Sequence, residues 1–348
     1  MVSPLFRSLC VTVLILLIVA AVVGWQAWRG YQAFVAHPIA VGDEQVVYKV
    51  EPGTTLRQVA GDLTKRGWVS NPYNFMALAY LTGQQNALKA GEYGISSGMR
   101  PVALLELLTS GRSIQFPVTF VEGTRFRDAV AAIPAAGAFK IELAGLSDEE
   151  IMARIGIDDD HPEGWLFPDT YLFPRGTTDT TILKRAHQRM KDVLAEEWAG
   201  RSDDLPLETP YEALILASII EKETAVPEER PSIAGVFVRR LQKGMKLQTD
   251  PTVIYGMGDD YDGNIRREDL REATPYNTYV IDGLPPTPIA LPGREAIHAA
   301  LHPAAGDALY FVARGDGSHH FSATLDEHNC AVRHYQLKRP CPSLKEQP

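Results

Sequence analysis

Cysteine is scarce. The 348 residues hold three, and Cys10 lies inside a long apolar stretch. Cys330 and Cys341 remain, too few for a disulfide framework and without the CxxC spacing of a metal site. From the sequence, a bridge between them and two free thiols are equally open. An excess of positive charge is missing as well. The formal net charge is −9, which argues against nucleic acid as a partner, because phosphate binding shows as a basic surface. Nor does any charge type dominate: 45% of residues are hydrophobic and 22% charged, ordinary values for a folded chain. His298 and His302 stand four apart, as two zinc ligands on one helical face require, but no Glu follows His298 in the HExxH manner. No third ligand is visible in the sequence, so neither a metal nor a cofactor is expected.

Charge is also missing locally. From Ser8 to Trp28 there are 21 residues without one, enough for a helix to cross the roughly 30 Å hydrocarbon layer. Trp25, Trp28 and Tyr31 follow where aromatic side chains favour the membrane–water interface. A cleaved signal peptide has a shorter apolar region of about 7–15 residues and a small-residue cleavage site, so an uncleaved anchor is expected. Arg7 and Arg29 flank the stretch and give little bias, while Asp43 and Glu44 precede the next cation, Lys49. This tilts the soluble part toward the outside of the cytoplasm.

The length allows about two or three domains. "VVYKVEPGTTLRQVAGDLTKRG" reads as strand, Pro-Gly turn and a helix capped by Thr54 or Thr55. A related order returns at Val121 in "VEGTRFRDAVAAIPAAG". The expected class is α+β: a tip and anchor over residues 1–30, a small α+β region over 46–135, and a mixed α+β domain over 160–338. In "EGWLFPDTYLFP", Trp165, Phe167, Tyr171 and Phe173 suit a core better than a sugar-stacking surface.

A buried helix is predicted from Thr209, which forms a capping box with Glu212 and has Pro210 at the first helical position. Between Ala213 and Ile220 only Ser218 is polar, so no solvated face remains. The helix ends in Glu221, Lys222 and Glu223. Desolvation and the negative helix end both disfavour a charged carboxylate at Glu221, as a general acid near neutral pH requires. Both glutamates share mainly apolar faces, so periodicity does not choose between them. The next helix, "EERPSIAGVFVRRLQKG", has an amphipathic stripe and ends at Gly244. "MKLQTDPTVIYGMG" reads as a loop leading into a short strand. Downstream lie Tyr276, Asn277 and Tyr279 in a Pro-rich loop, then a hairpin bearing His319 and His320. One of those histidines is a candidate to face a cleft. A final helix opens with the box Thr324–Glu327.

"ASIIEKETAVPEER", "GVFVRRLQKGMKLQTDPTVIYGMG", "YNTYVIDGLPP" and "ALYFVARGDGSHHF" together resemble the endolytic murein transglycosylase family, also called YceG-like or MltG. With "EGWLFPDTYLF", the similarity runs through most of residues 46–336. The resemblance implies a catalytic role for the first Glu of the EKE motif, Glu221. It implies an inner-membrane, single-pass protein whose catalytic part is periplasmic and whose first region is LysM-like. The implied reaction cuts the MurNAc–GlcNAc bond within nascent peptidoglycan and terminates strand elongation, with peptidoglycan synthases as candidate partners. One Glu protonates the leaving oxygen, then takes a proton from the sugar's own C6 hydroxyl, giving a 1,6-anhydro end. Ordinary glycosidases need a second carboxylate; an internal hydroxyl removes that need. Gln248, Thr249, Asp250, Tyr255, Tyr276, Asn277 and Tyr279 are the candidate sugar-binding residues, by hydrogen bonding or stacking. Asp250 before Pro251 equally suits a turn. The rivals are a non-catalytic peptidoglycan-binding membrane protein, which has no use for a buried acid, and a metallohydrolase built on His298 and His302.

Overall fold

The computed structural model describes residues 4–42, 45–158 and 161–341. Asp43, Glu44 and the side chains of Arg7 and Cys10 lie outside the described residues. α1 (Pro4–Ala36) carries the uncharged stretch as one unbroken helix. Its Val11–Ala36 part has a mean hydropathy of 2.2 and is long and apolar enough to cross a membrane. Leu14, Leu16 and Trp25 are exposed on it, as on a helix that meets lipid rather than protein.

The chain divides into two compact units, Met1–Phe116 and Pro117–Pro348. In the first, β1 (Val46–Val50), α2 (Leu56–Lys65), α3 (Pro72–Leu81), β2 (Gly91–Ile95) and α4 (Pro101–Ser110) follow α1. β1 and β2 pair antiparallel, with Tyr48 opposite Tyr93. Thr55 caps α2 in a full capping box with Gln58, and Asn71 caps α3 ahead of Pro72. Leu63, Phe75, Tyr93, Ile95 and Leu104 form the core, joined by Phe34 from the last turn of α1 and by Ile39 just beyond it.

β3 (Gln115–Thr119) spans the divide, and the second unit continues with α5 (Phe126–Ala135), α6 (Asp148–Ile155), β4 (Thr170–Pro174) and α7 (Asp179–Ala199). Then come α8 (Pro210–Glu223), α9 (Arg230–Gln242), α10 (Asp250–Met257), α11 (Arg294–Leu301), β5 (Tyr310–Ala313), β6 (His319–Ser322) and α12 (Leu325–Tyr335). β3 pairs with β4, and β5 with β6 as an antiparallel hairpin. The returning strand–turn–helix order is β3–α5, but its residues pack in the second unit: Phe126, Ala129 and Ile133 meet Ile151, Leu166 and Ile182. Phe167, Tyr171 and Phe173 are buried, and partly buried Trp165 stacks on Tyr211 at 5.7 Å; these aromatics serve the core.

Every residue of α8 from Ala213 to Ile220 is buried, in a cluster that includes Ile233, Phe237, Ile297 and Ala300 from α9 and α11. The one polar member, Ser218, donates to Ile215 O at 2.7 Å and accepts from Ile289 N–H at 3.0 Å, so its burial leaves nothing unpaired. Thr209 caps α8 by accepting from Glu212 N–H at 3.2 Å. The reciprocal half of the expected box does not form, because the Glu212 carboxylate accepts from Glu208 N–H instead.

The segment after Asp250 corrects the predicted short strand. β-branched Thr252 and Val253 suggest a strand, but Pro251 occupies the first turn of a helix. Thr252 is fully buried and its hydroxyl donates to Thr249 O at 2.8 Å. Tertiary packing decides against local propensity here. Farther along the chain Cys330 and Cys341 form a disulfide, Cα–Cα 5.4 Å, which ties Cys341 back to α12.

Candidate active site

The end of α8 presents Glu221, Lys222 and Glu223 about 100° apart around the helix. The side chain of Glu221 is only 6% exposed and pairs with Arg230 Nη2 at 3.3 Å. Its Oε2 accepts from Gly293 N–H at 3.0 Å. Arg230 also binds Glu295, and Glu122 lies close enough for the Glu221 charge to help raise its carboxyl pKa, after desolvation. Glu221 thus belongs to a knot of carboxylates around one guanidinium. Lys222 turns away and donates to Gly123 O at 3.0 Å.

Among the described residues, Glu223 has no such counter-ion against it. Thr249 Oγ1 donates to its Oε1. Burial pushes its carboxyl up to about 7, opposed by the Thr249 bond, reinforced by the Asp250 charge, and opposed more weakly by His319 and Arg240. Its position as the last residue of α8 acts in the same direction. Glu223 opens into a cavity of about 490 Å³ that Gln248, Asp250, Tyr279, Arg240 and His319 also line. β5 and α12 close the far wall through Tyr310, Asn329 and Val332, among others.

The polar groups of this cavity are held from behind. Tyr279 OH donates to Asp250 Oδ1 at 2.6 Å, and burial raises its own pKa. Gln248 sits at φ +52°, a conformation that side chains other than glycine rarely adopt and that clusters at functional sites. Buried Arg240 donates to Leu247 O at 2.8 Å and to Leu309 O at 2.7 Å, tying the wall to the segment before β5. His319, not His320, faces the cavity, its Nδ1 2.7 Å from Glu229 Oε2. His320 turns toward Tyr335.

Of the candidate sugar-binding residues, Gln248, Asp250 and Tyr279 therefore gather around Glu223, with buried Thr249 holding its carboxyl. Three do not. Tyr255 lines a different cavity of about 280 Å³ with Lys222 and Arg125, and its hydroxyl donates to Glu163 Oε2 at 3.2 Å. The Tyr276 hydroxyl lies 2.9 Å from Thr287 Oγ1. Asn277 is 1% exposed and donates to Asp269 O and Glu272 O at 2.9 and 2.7 Å, so it shapes the loop.

Several site residues carry no sequence signal. Arg230, Glu229 and Arg240 read as ordinary helix-terminal charges. Buried Glu163, also raised to about 7 by desolvation, accepts from Phe126 N–H at 2.8 Å. Its only hint was a carboxylate beside an aromatic cluster. Outside the 490 Å³ cavity, Glu197, His298 and His302 come together in a way that could hold a metal ion.

The sequence matches the YceG-like family over residues 48–334. It is 33% identical over 303 residues to the endolytic murein transglycosylase of Bacillus subtilis (strain 168), covering 82% of this chain and 83% of that protein. It is 28% identical over 318 residues to the protein of the same name from Streptococcus pneumoniae serotype 2 (strain D39), with 82% of this chain and 57% of that one covered. A YceG-like protein of Listeria monocytogenes, seen in a 2.6 Å crystal structure, aligns with TM-score 0.50 and 28% identity over 83% of this chain and 99% of its own. With a match that spans most of the chain and both sides of the Glu223 cavity, this protein belongs to the YceG-like family.

Proposed function

We propose that the chain is a membrane-anchored lytic transglycosylase that cuts peptidoglycan glycan strands, with Glu223 as its acid and then its base. The observation that carries the reading is a carboxyl poised to titrate at about 7 in a cavity with polar groups suited to a sugar. The names of the Bacillus and Streptococcus relatives support the reaction class. The first glutamate of the EKE motif was the expected acid. Its ion pair with Arg230 and its bond from Gly293 instead favour an anchoring role, fixing the end of α8 against the segment before α11.

In this reading neutral Glu223 donates its proton to the glycosidic oxygen as positive charge develops at the MurNAc C1. The carboxylate left behind takes the proton of the C6 hydroxyl, whose oxygen closes the 1,6-anhydro ring. Gln248 and Asp250 would orient N-acetyl and hydroxyl groups, and Tyr279 would hold Asp250 in place. α1 supports anchoring by length and apolarity. An inner-membrane location, a periplasmic catalytic part, a LysM-like role for the first unit, action on nascent strands and a partnership with synthases complete the proposal.

One observation favours a second reading. Asp250 shares the cavity with Glu223, and two carboxylates are what a water-using glycosidase requires. Mass spectrometry of products from intact glycan strands separates the readings. Anhydro ends, one water lighter than reducing ends, support the transglycosylase, and reducing ends support the hydrolase. No shortening by wild-type protein would leave the non-catalytic binding reading.

A further inference from the structure

A second polar cluster joins the last turn of α7 to the end of α11. His298 and His302 lie one turn apart, His302 at the C-cap, with ring centroids 4.2 Å apart. Glu197 meets them from α7: its Oε2 is 2.8 Å from His298 Nδ1. One ligand atom from each of the three residues lies within 4.8 Å of the others. The third ligand that the sequence did not reveal is thus 101 positions before His298.

The carboxylate is held for this role. It is 11% exposed, and Arg294 Nη1 binds its other oxygen at 2.6 Å, leaving Oε2 toward the imidazoles. Ligating carboxylates and histidines are commonly oriented by such outer hydrogen bonds. Two imidazoles and one carboxylate, with a position left for water, form a donor set of the zinc kind. Bonds of about 2.0–2.2 Å place tetrahedral ligand atoms roughly 3.3 Å apart, so small side-chain rotations close the observed spacing. His298 is exposed and borders a cavity of about 430 Å³ with Glu197 and Arg294, which gives an ion a path of entry.

We propose that Glu197, His298 and His302 bind one divalent transition-metal ion of the zinc class, stapling α7 to α11. None of the three lines the Glu223 cavity, so the ion acts on stability and not on the sugar. α11 packs on α8 in the same core, and the staple would brace the helix whose end carries Glu221 and Glu223. This holds whatever the reaction is.

The test uses full-length, untagged protein in detergent, stripped with a chelator and titrated with ZnCl2, then with CoCl2 as a spectroscopic probe. The expected result is one equivalent of Zn2+ bound, a rise in the unfolding midpoint that MgCl2 does not reproduce, and a Co2+ d–d spectrum typical of four-coordination. His298→Ala touches an exposed side chain, keeps the fold and should weaken Zn2+ binding by at least about tenfold, abolishing the Co2+ spectrum. Glu197→Gln should weaken it while keeping a partner for Arg294. Absence of saturable binding to wild type would overturn the proposal. So would undiminished binding by His298→Ala, which would place the ion on other histidines such as His319, His320 or His334.

Discussion

Glu221 and Glu223 leave the same helix two residues apart and meet opposite surroundings. On the Glu221 side a guanidinium and a backbone N–H converge on the carboxylate, and neighbouring carboxylates share the same arginine. On the Glu223 side a single hydroxyl donates, an aspartate stands nearby, and the cationic groups act weakly. Burial and the helix end are common to both. What separates them is whether a counter-ion comes with the burial: a carboxyl becomes a usable acid when water is removed and no cation replaces it.

Exchanging each glutamate for glutamine puts that contrast to its hardest test. Glu223→Gln should lower the release of anhydro-ended fragments at least about a hundredfold. Glu221→Gln should keep most turnover while lowering stability by about 1–3 kcal/mol, because Arg230 loses a charged partner. The opposite pattern in a fragment assay and a denaturant titration would return the acid to Glu221.

pH sharpens the same comparison. A donor must be protonated, so turnover should fall above pH about 7, the value to which the Glu223 carboxyl is raised, by roughly tenfold per unit. Stability follows the same sign. The folded-state value lies above the ordinary 4.5, so the native state holds an extra proton between the two, and stability is lost as pH rises from 4.5 through 7. Glu223→Gln should therefore raise the unfolding midpoint at pH 8 and leave it unchanged at pH 4. Glu163→Gln should change the same slope without altering which end the product carries.

The remaining expectations are smaller. Replacing Cys330 and Cys341 by serine should lower stability by about 2–3 kcal/mol, and thiol counting on denatured, unreduced protein should find Cys10 alone reactive. Tyr279→Phe removes the hydroxyl that holds Asp250 and should lower turnover severalfold in kinetic assays. Tyr276→Phe, outside the cavity, should hardly change it.

α8, its cap and its burial were legible because a run of apolar residues behind Thr209 and Pro210 allows little else. Gln248, Asp250 and Tyr279 were legible as polar groups in loops near a buried acid. The different surroundings of the two glutamates were not, since both helix faces are apolar and the groups that meet them, Arg230, Gly293 and Thr249, arrive from elsewhere in the chain. The places of Asn277 and Tyr276 outside the Glu223 cavity were not legible for a related reason: a loop that holds its own shape uses the same kinds of side chain as one that meets a ligand. α10 was misread because Thr252 and Val253 prefer strands until packing overrides them.

α1 has 33 residues, about 50 Å of helix at 1.5 Å per residue. A hydrocarbon layer of roughly 30 Å leaves several turns over. Those last turns do not fray into a linker; Phe34 is sunk in the core of the first unit, and Ile39 follows it there. A helix that crossed a membrane in this way would work as a rigid mast and not as a tether. Its length would set the height at which the first unit stands above the lipid, and any tilt of the helix would swing that unit bodily.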